Sequence, residues 1–169
     1  MRRARLLPSL FVLALLLSGC SLVGDDGGGA PGTATVVRVV DGDTVDVRVG
    51  RDAETARLLG IDTPETVDPN EPVGCYGPEA SARAKELLPV GTAVRLARDV
   101  EARDRYGRLL VYIVRARDDL FVNESLLADG FARPLSIAPN DAHRAELARV
   151  SAEARAAGRG LWGACGPDG

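Results

Sequence analysis

Arg57-Leu58-Leu59-Gly60-Ile61-Asp62-Thr63-Pro64-Glu65-Thr66 is the stretch on which the reading of the chain turns. Ala56 to Ile61 is largely apolar and predicts a strand. Pro64 lacks a backbone N–H and has a fixed φ, so pairing should stop near Asp62 and give way to a turn. An arginine, an aspartate and a glutamate thereby fall within a few residues of one another. Arg57 carries the planar fork that grips a phosphate through two bonds. Asp62 is a hard oxygen donor of the kind that Ca²⁺ or Mg²⁺ takes. Glu65 is suited to accept a proton from water. The same side chains would equally serve as solvated charges at a strand end, and the flanking sequence has to decide.

Upstream, Thr35 to Val40 is β-branched except at Arg38 and predicts a strand. Asp41-Gly42 signals a hairpin. Thr44 to Val49 is the return strand, with Val45, Val47 and Val49 alternating against Thr44, Asp46 and Arg48. A period of two puts Asp43 on the valine side. A carboxylate there needs a cationic partner, a metal or an arginine, unless the turn leaves it in water. Gly50-Arg51-Asp52 turns the chain into the strand that carries Arg57, so three strands in meander order precede Pro64.

Downstream, Thr66 to Cys75 reads as a loop. Pro78-Glu79-Ala80-Ser81 opens a helix that runs to about Pro89, with Ala80, Ala84, Leu87 and Leu88 as its apolar stripe. Ala93 to Arg98 alternates as a fourth strand. Asp99 to Tyr106 is a charged loop, and Leu109 to Val114 is a fifth strand. Val122 to Asp129 suits a short helix closed by Gly130. Pro139 to Ala157 is a last helix with Ala142, Leu147, Val150 and Ala154 inward, after which Leu161 and Trp162 dock on the core. This order predicts an α+β, mainly β fold: a five-stranded OB-fold barrel with about three covering helices.

The N-terminus reads as an address. Met1-Arg2-Arg3-Ala4-Arg5 is basic, and Leu6 to Leu17 is an apolar run too short to be a comfortable membrane span. Leu17-Ser18-Gly19-Cys20 resembles the bacterial lipobox, which implies a signal peptide over residues 1–19 and a lipid on Cys20. An ordinary secretory signal is the other reading. Residues 20–32, with Gly27-Gly28-Gly29, form a flexible tether. Residues 33–169 are one domain in size. The expected location is outside the cytoplasm, on the cell membrane. Removing Arg2, Arg3 and Arg5 with the leader takes the net charge from −3 to −6. An acidic chain is no nucleic-acid binder by bulk charge, so that function would need local arginines or a bound cation.

Val40-Asp41-Gly42-Asp43-Thr44-Val45, the Arg57 to Thr66 stretch, Tyr76-Gly77-Pro78-Glu79-Ala80, Tyr106-Gly107-Arg108 and Asn140 through Trp162 together resemble the staphylococcal nuclease family in order and spacing. The resemblance covers nearly all of Thr33 to Trp162. It implies an OB-fold, Ca²⁺-dependent nuclease that cleaves DNA and RNA with little sequence preference and leaves 3′-phosphate ends. By the same resemblance, Asp43 and Asp62 are the calcium carboxylates, and Thr63 adds its carbonyl. Glu65 is the base or water-positioner, and Arg57 and Arg108 clamp the scissile phosphate. Asp41 is a nearby carboxylate, and Tyr106 lines the nucleotide pocket. One Ca²⁺ and two arginines outweigh the two metal-binding aspartates, which answers the objection from bulk charge. A monomer is expected. A non-catalytic nucleic-acid or protein-binding domain on the same fold is the alternative, and the intact set of acids and arginines argues against it.

Two features depart from the family pattern. Near Leu135-Ser136-Ile137-Ala138 the family's type member has base-stacking tyrosines, and this chain has none. Cys75 and Cys165 are additional. With Cys20 lipidated, an even pair remains in an exported domain and predicts a disulfide, with free thiols or a metal site as alternatives. His143, the only histidine, is read as a surface or packing residue.

Overall fold

The computed structural model describes residues 32–66 and 72–166. The expected leader, Cys20 and the tether up to residue 31 lie outside the described residues, as does the middle of the loop after Thr66.

Three strands come first: β1 (Thr33–Val39), β2 (Thr44–Val49) and β3 (Asp52–Leu58). A two-residue strand β4 (Ile61–Asp62) and helix α1 (Gly77–Leu87) follow, then β5 (Ala93–Ala97) and β6 (Leu109–Arg115). The last part holds β7 (Leu120–Phe121), α2 (Val122–Ala128), β8 (Arg133–Pro134), α3 (Arg144–Ala156) and the single turn α4 (Leu161–Ala164). Antiparallel pairing runs β3-β2-β1-β5-β6, and a parallel contact from Ala56↔Leu109 to Leu58↔Val111 joins β3 to β6 and closes the barrel. This is the expected five-stranded OB-fold barrel, α+β and mainly β.

Alternation in the strands fills the barrel. Val36, Val45, Val47, Val94, Val111 and Ile113 are buried inside it, and Leu126, Leu127 and Leu147 from α2 and α3 cover one end. A register shift between Val36 and Arg38 marks a bulge in β1, which adds the twist that a small closed sheet requires. The stripe on α1 is buried as expected at Ala80, Ala84, Leu87 and Leu88.

Two boundaries differ from expectation, both for reasons local to the site. The strand expected from Ala56 to Ile61 breaks at Leu59-Gly60, where Gly60 has φ +77° and a β-carbon would collide with Leu147. The last helix begins at Arg144, not Pro139, and Ala142 is exposed, not inward. Side chains claim the backbone there before a helix can. The buried Asn140 amide accepts from Glu101 N–H at 2.8 Å and donates to Glu101 O at 3.0 Å, and Asp99 accepts from Ala142 N–H at 2.9 Å. Leu147, Val150 and Ala154 do face inward, and Leu161 is fully buried. His143 packs edge-on against Tyr112, ring centroids 4.6 Å apart. Tyr112 donates to Asp99 at 3.1 Å. Burial, then that carboxylate, pushes its hydroxyl up to about 12.

Asn123 ties helix to barrel. Buried on α2, it accepts from Ile113 N–H at 2.9 Å and donates to Leu59 O at 2.8 Å. The turn that follows Arg57 is thereby fixed from behind. Cys75 and Cys165 form a disulfide across 90 residues, Cα–Cα 5.9 Å, binding the end of α4 to the segment that enters α1. Closing a loop of this length stabilises by about 4–5 kcal/mol in the chain-entropy treatment, and measured gains commonly fall below it. Urea unfolding of the oxidised domain beside a Cys75→Ser, Cys165→Ser double variant should show a lower midpoint for the variant, corresponding to a loss of about 2–4 kcal/mol of unfolding free energy; superimposable curves would contradict this.

Candidate active site

The site is built on two turns facing each other. In the turn before β2, Asp41 Oδ1 accepts from Asp43 N–H at 3.0 Å, which directs Asp43 inward, and only 6% of Asp43 is exposed. A β-carbon on Gly42 would lie 2.7 Å from the Thr63 side chain, so glycine lets the two turns touch. Asp43 Oδ2 then accepts from Thr63 N–H at 2.8 Å and from Thr63 Oγ1 at 3.1 Å, while Oδ1 accepts from Thr44 Oγ1 at 3.1 Å.

Arg57 closes the arrangement. Its Nη2 lies 3.1 Å from Asp43 Oδ2 and 2.9 Å from Asp62 Oδ1. Its Nη1 donates to Leu58 O at 2.8 Å and to Ile61 O at 2.9 Å. The turn that interrupts the strand is therefore wrapped around this guanidinium. Asp43, Asp62, Thr63 and Arg57 are brought together as the sequence implied, with Asp41 beside them.

The charges are unbalanced. Burial raises the Asp41 carboxyl above its ordinary range, and the charge of Asp43 adds to the shift. Burial raises Asp43 as well; Arg57 pulls in the opposite direction without prevailing, and Asp62 adds to the rise. Asp43 and Asp62 both bond to Arg57, and Asp41 lies beside Asp43, so the acids gathered here outnumber the arginine that meets them. Among the described residues no three acidic, histidine or cysteine side chains form a ready cage. The donors at hand are the carboxylates of Asp43 and Asp62 with Asp41 beside them and the Thr63 hydroxyl, all oxygen. They fit a hard cation that takes water for the rest of its coordination, and among the described residues the neighbouring sulfur, Cys75, is held in the disulfide.

Arg108 sits at the start of β6 and is held by Asp104. One carboxylate oxygen accepts from the N–H groups of Tyr106 and Arg108, each at 2.9 Å, and the other accepts from Arg108 Nε at 2.7 Å. Burial alone would raise Asp104, but these bonds outweigh it and hold the carboxyl below its usual range. Arg105 and Arg108 lie over the Tyr106 ring, 4.7 and 5.5 Å from its centroid. Arg57, Arg108, Tyr106, Leu110, Leu135 and Ile137 share a cleft of about 530 Å³. The segment where the family pattern has tyrosines thus presents an aliphatic wall. Glu65 lines a neighbouring recess with Asp62 and Thr63, and its Oε1 accepts from Thr66 N–H at 2.7 Å.

Asp104 and Asn140 were not singled out from the sequence. Asp104 stands four residues before Arg108, but in a loop that spacing carries no structural meaning. Asn140 gives no local sign of a partner in a different loop.

Acids suited to a hard cation, with arginines suited to phosphate, on one face of an OB-fold barrel define the class as a nuclease-type hydrolase. A family model described as staphylococcal nuclease homologue matches residues 55–164. Thermonuclease of Staphylococcus hyicus is 38% identical over 130 residues, covering 77% of this chain and 75% of that protein. Thermonuclease of Staphylococcus intermedius is 41% identical over 127 residues, covering 75% and 74%. Endonuclease YncB of Bacillus subtilis is 37% identical over 133 residues, covering 78% of this chain and 62% of its own. The chain belongs to the staphylococcal nuclease family.

If the crowded acids call for a divalent cation, Ca²⁺ should stabilise the fold whether or not substrate is present. At about 100 times its dissociation constant it should add about 2.7 kcal/mol. Thermal melting with Ca²⁺ and with chelator should show this shift in the parent and its loss in Asp43→Asn; equal melting under both conditions would contradict the cation site.

Proposed function

We propose that this nuclease depends on Ca²⁺, hydrolyses phosphodiester bonds in DNA and RNA with little sequence preference, and leaves 3′-phosphate ends. The observation that carries the reading is the Arg57 guanidinium. It lies 3.1 Å from Asp43 and 2.9 Å from Asp62, and it opens on a cleft shared with Arg108. In this reading Asp43, Asp62 and the Thr63 carbonyl hold the Ca²⁺. When bound, the ion supplies Lewis-acid stabilisation of charge on the phosphate.

The chain's own groups do the rest. Arg57 and Arg108 grip the phosphate oxygens from the cleft side, where charge grows as water adds. Lysine would be a poor replacement for either because it lacks the fork. Asp104 anchors Arg108 at Nε while its guanidinium lies over the Tyr106 ring. Glu65, beside Asp62 in the neighbouring recess, orients the attacking water and accepts its proton. In the cleft Leu110, Leu135 and Ile137 form an aliphatic wall for a base, beside polar lining at Glu101, Tyr106 and Asn140. That wall supports weak base discrimination and loses the stacking that tyrosines would give, worth about 1–3 kcal/mol per base.

The setting is part of the proposal. The Leu17-Ser18-Gly19-Cys20 tetrad supports export and a lipid on Cys20, with the domain working as a monomer outside the cytoplasm. The disulfide is of a kind that persists in an oxidising compartment.

The chain from Ser21 onward, assayed on DNA and RNA with Ca²⁺ and with chelator, tests the reading. Cleavage should require Ca²⁺ and fall by about 10²–10³ in Arg57→Ala and comparably in Glu65→Gln. Nucleic-acid binding without metal-dependent cleavage would overturn it in favour of a recognition domain.

A further inference from the structure

The turn that carries Glu65 is held differently on its two sides. Upstream, Asp43 fixes Thr63 by accepting from its N–H at 2.8 Å and from its hydroxyl at 3.1 Å. Downstream, the turn rests on the segment that enters α1. Gly74 N–H donates to Glu65 O at 2.8 Å, and Gly77 N–H donates to Gly74 O at 2.9 Å. A β-carbon on Gly74 would lie 2.7 Å from Pro64, and one on Gly77 would lie 2.7 Å from the Thr66 side chain and 3.0 Å from Glu65 O. Both glycines are therefore seated directly on the turn.

Cys75 stands between these two glycines, exposed, with its sulfur bonded to Cys165. Cys165 has a firm base of its own. It closes α4, where its N–H donates to Leu161 O at 2.9 Å. Leu161 is fully buried, and its N–H donates to Gly130 O at 2.8 Å. The bridge thus runs from the packed C-terminal turn to the contacts that hold Glu65 from downstream. The contacts of the arginines run elsewhere. Arg57 is bonded to Asp43 and Asp62, and Arg108 is bonded to Asp104 in a different loop.

We infer that the Cys75–Cys165 bridge is a positioning device for Glu65, through which the hydrolytic step depends on the oxidised state of the protein. The inference rests on the nuclease reading above, in which Glu65 serves the attacking water, and adds a redox condition to it. A dithiol reductant opens the bridge by exchange. Its first thiolate bonds to one protein sulfur and releases the other; its second thiolate then displaces the first. The protein ends with two thiols, having gained two electrons and two protons, and the reductant ends as a disulfide. The chain is weakly active in a reducing compartment and reaches its full rate where the bridge forms.

Cleavage of single-stranded DNA with Ca²⁺, measured well below the melting temperature, tests this on the oxidised protein, on the same protein after dithiothreitol, and on a Cys75→Ala, Cys165→Ala double variant. Loss of the bridge should lower kcat by about 10–100-fold, the scale of a displaced catalytic group. KM should stay within about two-fold, because the arginines that grip the phosphate are held independently. The Ca²⁺-induced rise in melting temperature should persist. In Glu65→Gln, where kcat is already low, loss of the bridge should lower it no further. An equal proportional fall in the parent and in Glu65→Gln would mean general loosening and overturns the inference, as does an unchanged kcat in the reduced parent. Dithiothreitol should leave the rate of the double variant unchanged, and a fall there overturns the assignment to this bridge. If the double variant does not fold, reduction of the folded parent carries the comparison. Failure of the oxidised parent to cleave would count against the nuclease reading itself, whereas cleavage indifferent to the bridge counts against the positioning role alone.

Discussion

One guanidinium, that of Arg57, is bonded to two carboxylates and two backbone carbonyls, and the surrounding structure depends on that set of contacts. Both side chains of the Arg57–Asp43 pair are largely out of water, 15% and 8% exposed. Removing one partner of such a pair leaves the other desolvated and unmatched, which costs about 3–5 kcal/mol in general. The carbonyls matter as much as the acids. Leu58 and Ile61 flank the turn that ends β3, and their oxygens face the arginine because Gly60 takes a positive φ against Leu147. Arginine, glycine and leucine thus fix one bend, and the bend sets where Asp62, Thr63 and Glu65 stand.

The barrel gives this bend something rigid to turn on. Its closure through β3 and β6 places Arg57 level with Leu110, two residues beyond Arg108, so the two arginines come to one cleft by strand register. Asn123 holds the bend from behind, Asn140 holds the charged loop in front, and Asp104 holds Arg108 within that loop. These are polar groups spent on position in a chain that leaves its reactive acids crowded. Burial raises Asp41 and Asp43 above their ordinary range, an arrangement unfavourable to folding on its own.

Much of this was legible in the sequence because it lies in short-range pattern. Alternation in Thr44–Val49 placed Asp43 with the valines, and the structure buries it there with Arg57 as the cationic partner. The α1 stripe and the barrel order followed from periodicity and turn residues. What the sequence withheld depends on contacts between distant loops. Nothing near Asn140 announces Glu101, so the sequence alone starts α3 too early and turns Ala142 inward. Nothing near Leu59 announces Leu147, so the apolar run alone continues the strand through the break after β3.

The central claim is that Arg57 and Asp43 act as one buried unit that holds the site together. A double-mutant cycle on folding free energy, with Arg57→Met, Asp43→Asn and both changes together, measures their coupling in the absence of metal. The account predicts a coupling energy of about 1–3 kcal/mol, so that the second change costs far less once the first is made. Strict additivity of the two losses would contradict it, and would mean that the two turns meet for reasons independent of this pair.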